Sequence, residues 1–481
     1  MKVTSPTFPE NARKALRDET LQRALKNVEI GFIGKRQAAA DALPEFEALR
    51  DLGRDIKTHT LGRLDVYLEE YEKQVTATGG HVHWAETGED ACELVREICR
   101  SVGARTLTKG KSMISEEMQL NAFLEKDGLE VTETDLGEYI VQLRGEHPSH
   151  IIAPAVHVTK EQVEADFRSK HKGLDPLRNL DAPESLLGEA RQILREKYFA
   201  ADVGITGANF LVAETGSSVI VTNEGNGDLT QTLARVHIVL ASIEKVIPTL
   251  NDLDVFLRLL ARSATGQEQS VYTTLSTGPR RDEDPDGPEQ YHVILLDNGR
   301  SKMLGTEFED MLRCIRCGAC INHCPVYHAV GGHAYGWVYP GPMGSVLTPS
   351  LVGIDKTGHL PNASTLCGRC ESVCPMRIPL PKMLRHWRER DFARHLPTNP
   401  QRLGLKGWAF LASRPKLYHS VMRPGMKLMK YLAPMTGLMK RLPAASGWTR
   451  HREFPAPEGE TFQQLWAKAQ DKGGKQQGKA R

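Results

Sequence analysis

The sequence predicts an α/β domain followed by a smaller, mainly helical domain built around cysteines. Three observations predict this. Strand-like and helical stretches alternate from residue 61 to residue 297, the pattern of a mainly parallel sheet flanked by helices. Seven of the nine cysteines fall in two short runs between Cys314 and Cys374. From Met376 to Arg452 the chain turns basic, with seventeen Lys and Arg against only Glu389 and Asp391. With 481 residues, 40 % hydrophobic and 25 % charged, the chain can bury a sizeable core without disulfides. Its formal net charge of +2 favours no class of partner.

Residues 1–60 read as a helical segment. Ala12, Leu16, Leu21 and Leu25 approximate helical spacing, and a second pattern runs from Ala39 to Leu52. These are expected to be solvated helices packed on something larger. The opening MKVTSPTFPENARKALRDE has no apolar stretch of the kind an export signal needs. No run of eighteen apolar residues is present either. The expected location is therefore cytoplasmic, where cysteines serve metals or catalysis more than disulfides.

Within 61–297, Leu61–Val75 and Asp90–Val102 read as helices. His81–Trp84, Leu129–Thr132, Phe210–Ala213, Val219–Thr222 and Val293–Leu296 read as strands, and Gly278–Gly287 as a surface loop. The most distinctive stretch is Gly204–Ser217, where Gly207 and Gly216 flank a strand with Glu214 near its end. Ligands bind beyond strand ends in open α/β sheets, which makes Glu214 the candidate catalytic residue. A Gly/Asn cluster, Asn223–Gly227, follows the next strand. The plainer reading of both clusters is tight turns.

Other motifs are incomplete. Lys109–Ser112 looks like the tail of a phosphate-binding loop, but Arg105 stands where that loop needs glycine. There is no complete G-x-G-x-x-G. His147 and His150 flank a Pro–Ser pair, and nothing nearby completes a metal site for them. Cys92 and Cys99, seven apart on a helical pattern, read as buried small hydrophobes.

The cysteine runs carry the chemistry. The first is Cys314-x2-Cys317-x2-Cys320-x3-Cys324-Pro325, and the second is Cys367-x2-Cys370-x3-Cys374-Pro375. The first matches the ligand pattern of two-cluster ferredoxins in full. Three cysteines two residues apart let one turning segment hold three corners of an iron–sulfur cluster. The fourth is carried away to the other cluster. This rule assigns Cys314, Cys317, Cys320 and Cys374 to one cluster, and Cys324, Cys367 and Cys370 to the other. Ser364 stands where a complete second motif would have its first cysteine. The second cluster is therefore a three-iron cluster, or a four-iron one with Ser364, water or a substrate on the last iron. A zinc site made of Cys314, Cys317, Cys367 and Cys370 would leave Cys320, Cys324 and Cys374 without a role.

About forty residues separate the two runs. Gly331–Gly344, rich in Gly and aromatic residues, reads as an irregular cover, while Glu307–Arg313 and Leu380–His395 look helical. A helical ferredoxin module is expected here. The basic stretch Leu403–Arg441 interleaves Trp408, Phe410, Met422, Met426, Met429 and Met435 with Lys and Arg. It suits an anionic membrane surface, an acidic partner, or packing on the cluster domain. No nucleic-acid recognition module is present. The final Lys472–Arg481 reads as disordered.

With these residues in place, the sequence resembles the lactate utilisation protein B family. The resemblance is carried by Gly204–Gly227, by Glu289–His292 with Asp297–Arg300, and by the seven cysteines. It spans roughly residues 10 to 465. It implies an α/β domain (61–297) like those of the sugar-isomerase and CoA-transferase class, then a two-[4Fe-4S] ferredoxin domain (298–395) and a basic C-terminal segment (396–481). The family's cluster ligands fall on Cys314, Cys317, Cys320, Cys324, Cys367, Cys370 and Cys374. The resemblance also implies electron transfer during oxidation of L-lactate to pyruvate, with two companion subunits and a protein or quinone acceptor. The alternative is that this chain itself oxidises lactate, at the α/β cleft or at the three-cysteine cluster.

Overall fold

The α/β region is organised by strands that the alternation rule reads only in part. In chain order they are β1 His81–Ala85, β2 Thr106–Gly110, β3 Glu130–Glu133, β4 Val203–Gly207, β5 Phe210–Val212, β6 Ser217–Thr222, β7 Val236–Ser242, β8 Val246–Ile247, β9 Tyr272–Ser276 and β10 Gln290–Leu296. The computed structural model describes residues 3–110, 112–442, 449 and 452–477. Six strands form one fully parallel sheet in the order β1-β10-β7-β4-β2-β3. This meets the expectation of a mainly parallel sheet.

The strands absent from the sequence reading include β4 and β7, at the centre of that sheet. Every residue of both is buried. A strand covered on both faces has no polar face, so it shows no alternation. The helix Asn226–Leu233 packs directly on β4. A Cβ at Gly204 would lie 1.9 Å from the Thr230 carbonyl oxygen, so only glycine permits the approach.

A second sheet, not foreseen, has the order β8-β5-β6-β9. Its β5–β6 hairpin turns at Gly216, which has φ +68° and lies against the backbone of helix Leu64–Ala77. The Gly204–Ser217 stretch therefore holds two strands, not one.

The N-terminal pattern from Ala39 to Leu52 divides at Pro44 into helices Gly34–Asp41 and Phe46–Leu61, because a proline breaks a helix interior. These helices do pack on something larger. Leu25, Val28, Phe46 and Leu49 share one core with β5 and β6 residues and with Cys317, Cys320, Cys324, Cys370 and Cys374.

The cysteine region is built of short helical pieces, with Glu309–Arg313 a 3-10 turn and Leu380–Ala393 a full helix. Gly331–Gly344 is not wholly irregular. From Gly341 it enters a helix, Gly341–Val352, whose residues through Pro349 are buried. The indole of Trp387 donates to the Val346 carbonyl at 3.0 Å and pins that helix from the side.

The chain forms two compact units, Met1–Arg394 and His395–Arg481. The second contains helices Asn399–Ala412, Pro415–Leu432 and Phe462–Gln477, plus a small pairing of Leu438–Met439 with Phe454–Pro455. Its backbone is helical as far as Gln477, so the disorder expected from Lys472 does not begin there; residues 478–481 lie outside the described part. Leu403, Trp408, Phe410, Val421 and Leu428 are exposed in this unit. Among the described residues no helix is long and apolar enough to cross a membrane.

Candidate metal centre

The two cysteine runs fold alike. Arg316 (φ +59°) and Gly318 (φ +72°) flank Cys317, and Leu366 (φ +53°) and Gly368 (φ +82°) flank Cys367. Each run then enters a short helix, Ala319–Asn322 or Arg369–Ser372, that carries the next cysteine. The left-handed residues turn the chain sharply enough to bring sulfurs two residues apart to one side.

The repeat extends to a position that is cysteine in one run and serine in the other. The Arg316 N–H donates to Cys314 Sγ at 3.4 Å, and the Leu366 N–H donates to Ser364 Oγ at 3.1 Å. Ser364 thus takes, in the second run, the local place of Cys314.

Between the runs, the fold brings together residues far apart in sequence. Cys314, Cys317, Cys320 and Cys374 line one cavity whose walls include Ile151, Met343, Met376 and Ile378. Burial, then Cys374 and Cys314, pushes the Cys317 thiol up. Burial, then Cys324, pushes Cys370 up to about 12, with Cys367 adding to it. Cys320 also feels Cys370, so the two groups of cysteines are neighbours. Backbone N–H groups meet the sulfurs: Ala319 at Cys317, Tyr327 and Val326 at Cys324, Glu371 at Cys370, Ile378 and Met376 at Cys374.

This arrangement fits an iron–sulfur cluster. Four sulfurs converge on one apolar cavity, and amides are placed to bond sulfur. It does not gather the zinc quartet of Cys314, Cys317, Cys367 and Cys370, because the cavity that holds the first two takes Cys320 and Cys374 instead.

Arginines from the N-terminal helices clamp the second run. Arg50 donates to the Cys374 carbonyl at 2.7 Å and the Ser372 carbonyl at 2.8 Å, and Arg36 donates to the Val373 carbonyl at 3.2 Å. Positive charge this near a cluster favours its reduced form.

Cys367 differs from the others. It is exposed, and the Arg369 N–H, followed by the Thr365 hydroxyl, holds its thiol below the ordinary range. In the metal-free chain, iodoacetamide at neutral pH is expected to modify Cys367 before any other cysteine of the two runs, since the thiolate is the nucleophile. Peptide mass mapping over a time course checks this. First modification at Cys317 or Cys320 would contradict the fold.

A buried ion network joins the α/β region to the first run. Arg300 is fully buried and forks onto Glu117 at 3.0 and 2.8 Å, while its Nε meets Glu244 at 3.1 Å. Glu117 also accepts from Asn298 at 2.6 Å and the Tyr339 hydroxyl at 2.8 Å. Glu244 pairs in turn with Arg316 at 3.2 Å. The Asp297–Arg300 motif thus builds this network. The sequence reading assigned it no role, because its partner Glu117 lies 183 residues away.

The remaining candidates have structural partners. Glu214 accepts the Leu250 N–H at 3.0 Å, at the start of helix Leu250–Ala264. Lys109 is buried in β2 against Glu133 at 2.7 Å and Glu116 at 3.1 Å, which fits the rejection of a phosphate loop; Lys111 lies outside the described residues. His150 is buried and neutral, its pKa driven down to about 4 by burial, and its Nδ1 accepts from the Ile152 and Ala153 N–H groups. Cys92 and Cys99 are buried among aliphatic side chains.

A second cavity, of about 160 Å³, lies beyond the carboxyl ends of β4 and β7. Its lining includes Ser112, Asn209, Ser242, Lys245, Arg316 and Tyr339, but not Glu214.

The chain matches three family models: the LUD domain over residues 68–296, the 4Fe-4S dicluster domain over 310–378, and the lactate utilisation protein B C-terminal model over 369–471. The dicluster match and the cavity of four sulfurs agree that the cysteine region holds iron–sulfur. Proteins named lactate utilization protein B are similar along almost the whole chain. That of Shouchella clausii is 42 % identical over 98 % of this chain and 99 % of its own. That of Bacillus pumilus is 41 % identical over 98 % and 99 %. That of Oceanobacillus iheyensis is 41 % identical over 99 % of both. A solved DUF162 family protein from Deinococcus radiodurans aligns at 13 % identity and a TM-score of 0.27, covering 48 % of this chain and 98 % of that one, and the assignment does not draw on it. With more than two fifths of residues shared with full-length relatives and both cysteine runs folded as one site, the chain belongs to the lactate utilisation protein B family.

Proposed function

We propose that this chain is the iron–sulfur electron-transfer subunit of a system that oxidises L-lactate to pyruvate. The reading takes the three domains as residues 61–297, 298–395 and 396–481, after an N-terminal helical segment. One [4Fe-4S] cluster would be held by Cys314, Cys317, Cys320 and Cys374. A second would be held by Cys324, Cys367 and Cys370, with Ser364 at the fourth corner. The observation that supports the reading most is the single cavity lined by cysteines of both runs, beside a second set of three. When bound, such clusters accept and release electrons one at a time.

The chain's own residues do the rest. Ile151, Met343, Met376 and Ile378 exclude water from the first set of sulfurs. Backbone amides and nearby arginines stabilise negative charge there. The names of the relatives support a role in lactate use. The exposed apolar side chains and the Lys and Arg of the C-terminal unit offer a docking face for a companion, an acceptor or an anionic membrane surface.

The test is reduction of the anaerobically purified, cluster-loaded chain by L-lactate, followed by electron paramagnetic resonance. Reduction that appears only when the companion subunits are added supports the relay. Rapid reduction by lactate alone would instead make this chain the catalytic subunit. Colourless protein without acid-labile sulfide would end the proposal.

A further inference from the structure

We propose that the cavity beyond β4 and β7 binds a short-chain organic carboxylate through Lys245 and Arg316. Four observations carry this.

The first is position. In the order β1-β10-β7-β4-β2-β3, the chain leaves β2 towards one edge of the sheet and β4 towards the other. A crevice opens where successive connections diverge, outside the carboxyl ends of the strands. Ser112 follows β2, Asn209 follows β4 and Ser242 ends β7, and all three line the cavity.

The second is unspent positive charge. Lys245 lines the cavity, and no hydrogen bond or ion pair to its ammonium is found among the described residues. Arg316 lines it too, with its side chain only 12 % exposed. Its Nη2 pairs with Glu244, while Nη1 is buried without a hydrogen-bond partner. Glu244 is also shared with Arg300, which Glu117 holds as well, so two carboxylates serve the two guanidinium groups and none lies within ion-pair distance of Lys245 among the described residues. Enclosed cations are costly unless they are paired, and an anion in the cavity would complete the set.

The third is the apolar part of the wall, which stands beside the polar Thr222, Asn223, Thr265 and Ser270. Met113, Ile152, Leu240 and Leu260 are apolar. Phosphate or sulfate needs donors on every side, whereas a carboxylate with a carbon chain matches one cationic end and an apolar remainder. Asn209 accepts the Val221 N–H at 2.9 Å through Oδ1, which leaves its Nδ2 as a further donor.

The fourth is size. About 160 Å³ is far more than one water molecule needs and suits a compound of a few heavy atoms.

Arg316 stands between Cys314 and Cys317 in sequence, so the bound carboxylate would lie beside the first set of sulfurs. The narrower assignment to 2-hydroxy or 2-oxo acids rests on the function proposed above. Binding of a carboxylate does not.

The test is calorimetric titration of the anaerobically purified, cluster-loaded chain with L-lactate, pyruvate, the uncharged lactamide and inorganic phosphate. Lactate or pyruvate is expected to bind once per chain, with lactamide silent and phosphate weaker. Lys245→Met is expected to weaken binding by about tenfold or more, the size of a lost charged hydrogen bond. Lys245→Arg is expected to restore most of it, and Asn209→Ala to weaken it less. Iron content and the resonance spectrum should stay unchanged in all three variants. The proposal falls if phosphate or lactamide binds as tightly as lactate. It also falls if no carboxylate binds to a chain whose clusters are still reduced through its companions, a result that leaves the relay standing. Carboxylate binding without any reduction in the full system would overturn the relay and leave this site intact.

Discussion

Cys374→Ser is expected to destroy the cluster of the first cysteine run, although Cys374 belongs to the second. Cys374 lines the same cavity as Cys314, Cys317 and Cys320, and its sulfur receives the Ile378 and Met376 N–H groups. Removing it takes one of four thiolates from that cavity and none from the neighbouring set. Iron should fall to about half, because each cluster holds four irons, and one of two resonance signals should vanish. Ser364→Ala in the same assay should touch only the other signal. It should convert it towards a three-iron cluster and lower the iron by about one per chain. Ser364→Cys should give an all-cysteine site with iron retained. If Cys374→Ser removes the second signal and spares the first, the crossed ligation is wrong.

The second large effect concerns stability. Arg300→Met is expected to destabilise the first unit by about 3–5 kcal/mol, the typical cost of stranding the partners of a buried ion pair. Both Arg300 and Glu117 are fully buried, and Glu244 is only 2 % exposed. In the native chain, burial raises the Glu244 carboxyl, but Arg300 and then Arg316 outweigh it and hold the pKa down at about 2. Glu117 is likewise held low, by Arg300 against burial.

A depressed carboxylate contributes stability that is present above its unfolded pKa. That stability is lost as pH falls through the folded value. The native chain should therefore keep this contribution at neutral pH and lose it only in strong acid, between about pH 4 and 2. Without Arg300, burial wins at Glu117 and its pKa rises. The gap between variant and native chain should then be widest near neutral pH and should shrink as the pH is lowered. Denaturant melts at several pH values check this. A gap that does not change with pH would mean that the network is not ionised as described.

What was legible in the sequence follows from the range of each interaction. Iron–sulfur ligands lie within a few residues of one another, so their spacing is written directly in the chain. Exposed strands such as β1 show alternation and could be read. The doubly buried β4 and β7 show none, whereas the runs of β5 and β6 read as strands and only their place in a second sheet did not show. Glu214 drew attention for its place near a strand end. Its carboxylate meets the first turn of helix Leu250–Ala264, a distinction that no local pattern records.

The sequence alone determined the cysteine chemistry, the parallel α/β class and the family, because these depend on local spacing and on residue identity along one chain. Spacing alone already groups Cys374 with Cys314 and puts Ser364 in the missing cysteine's place, and the structure adds the shared cavity and the matching turn. Only the tertiary structure decided that Arg300 meets Glu117 and Glu244. It also decided that Lys245 and Arg316 line one cavity at the strand ends. Those contacts arise when the sheet crossovers and the shared core bring distant segments together, and burial then makes each unpaired charge or sulfur matter.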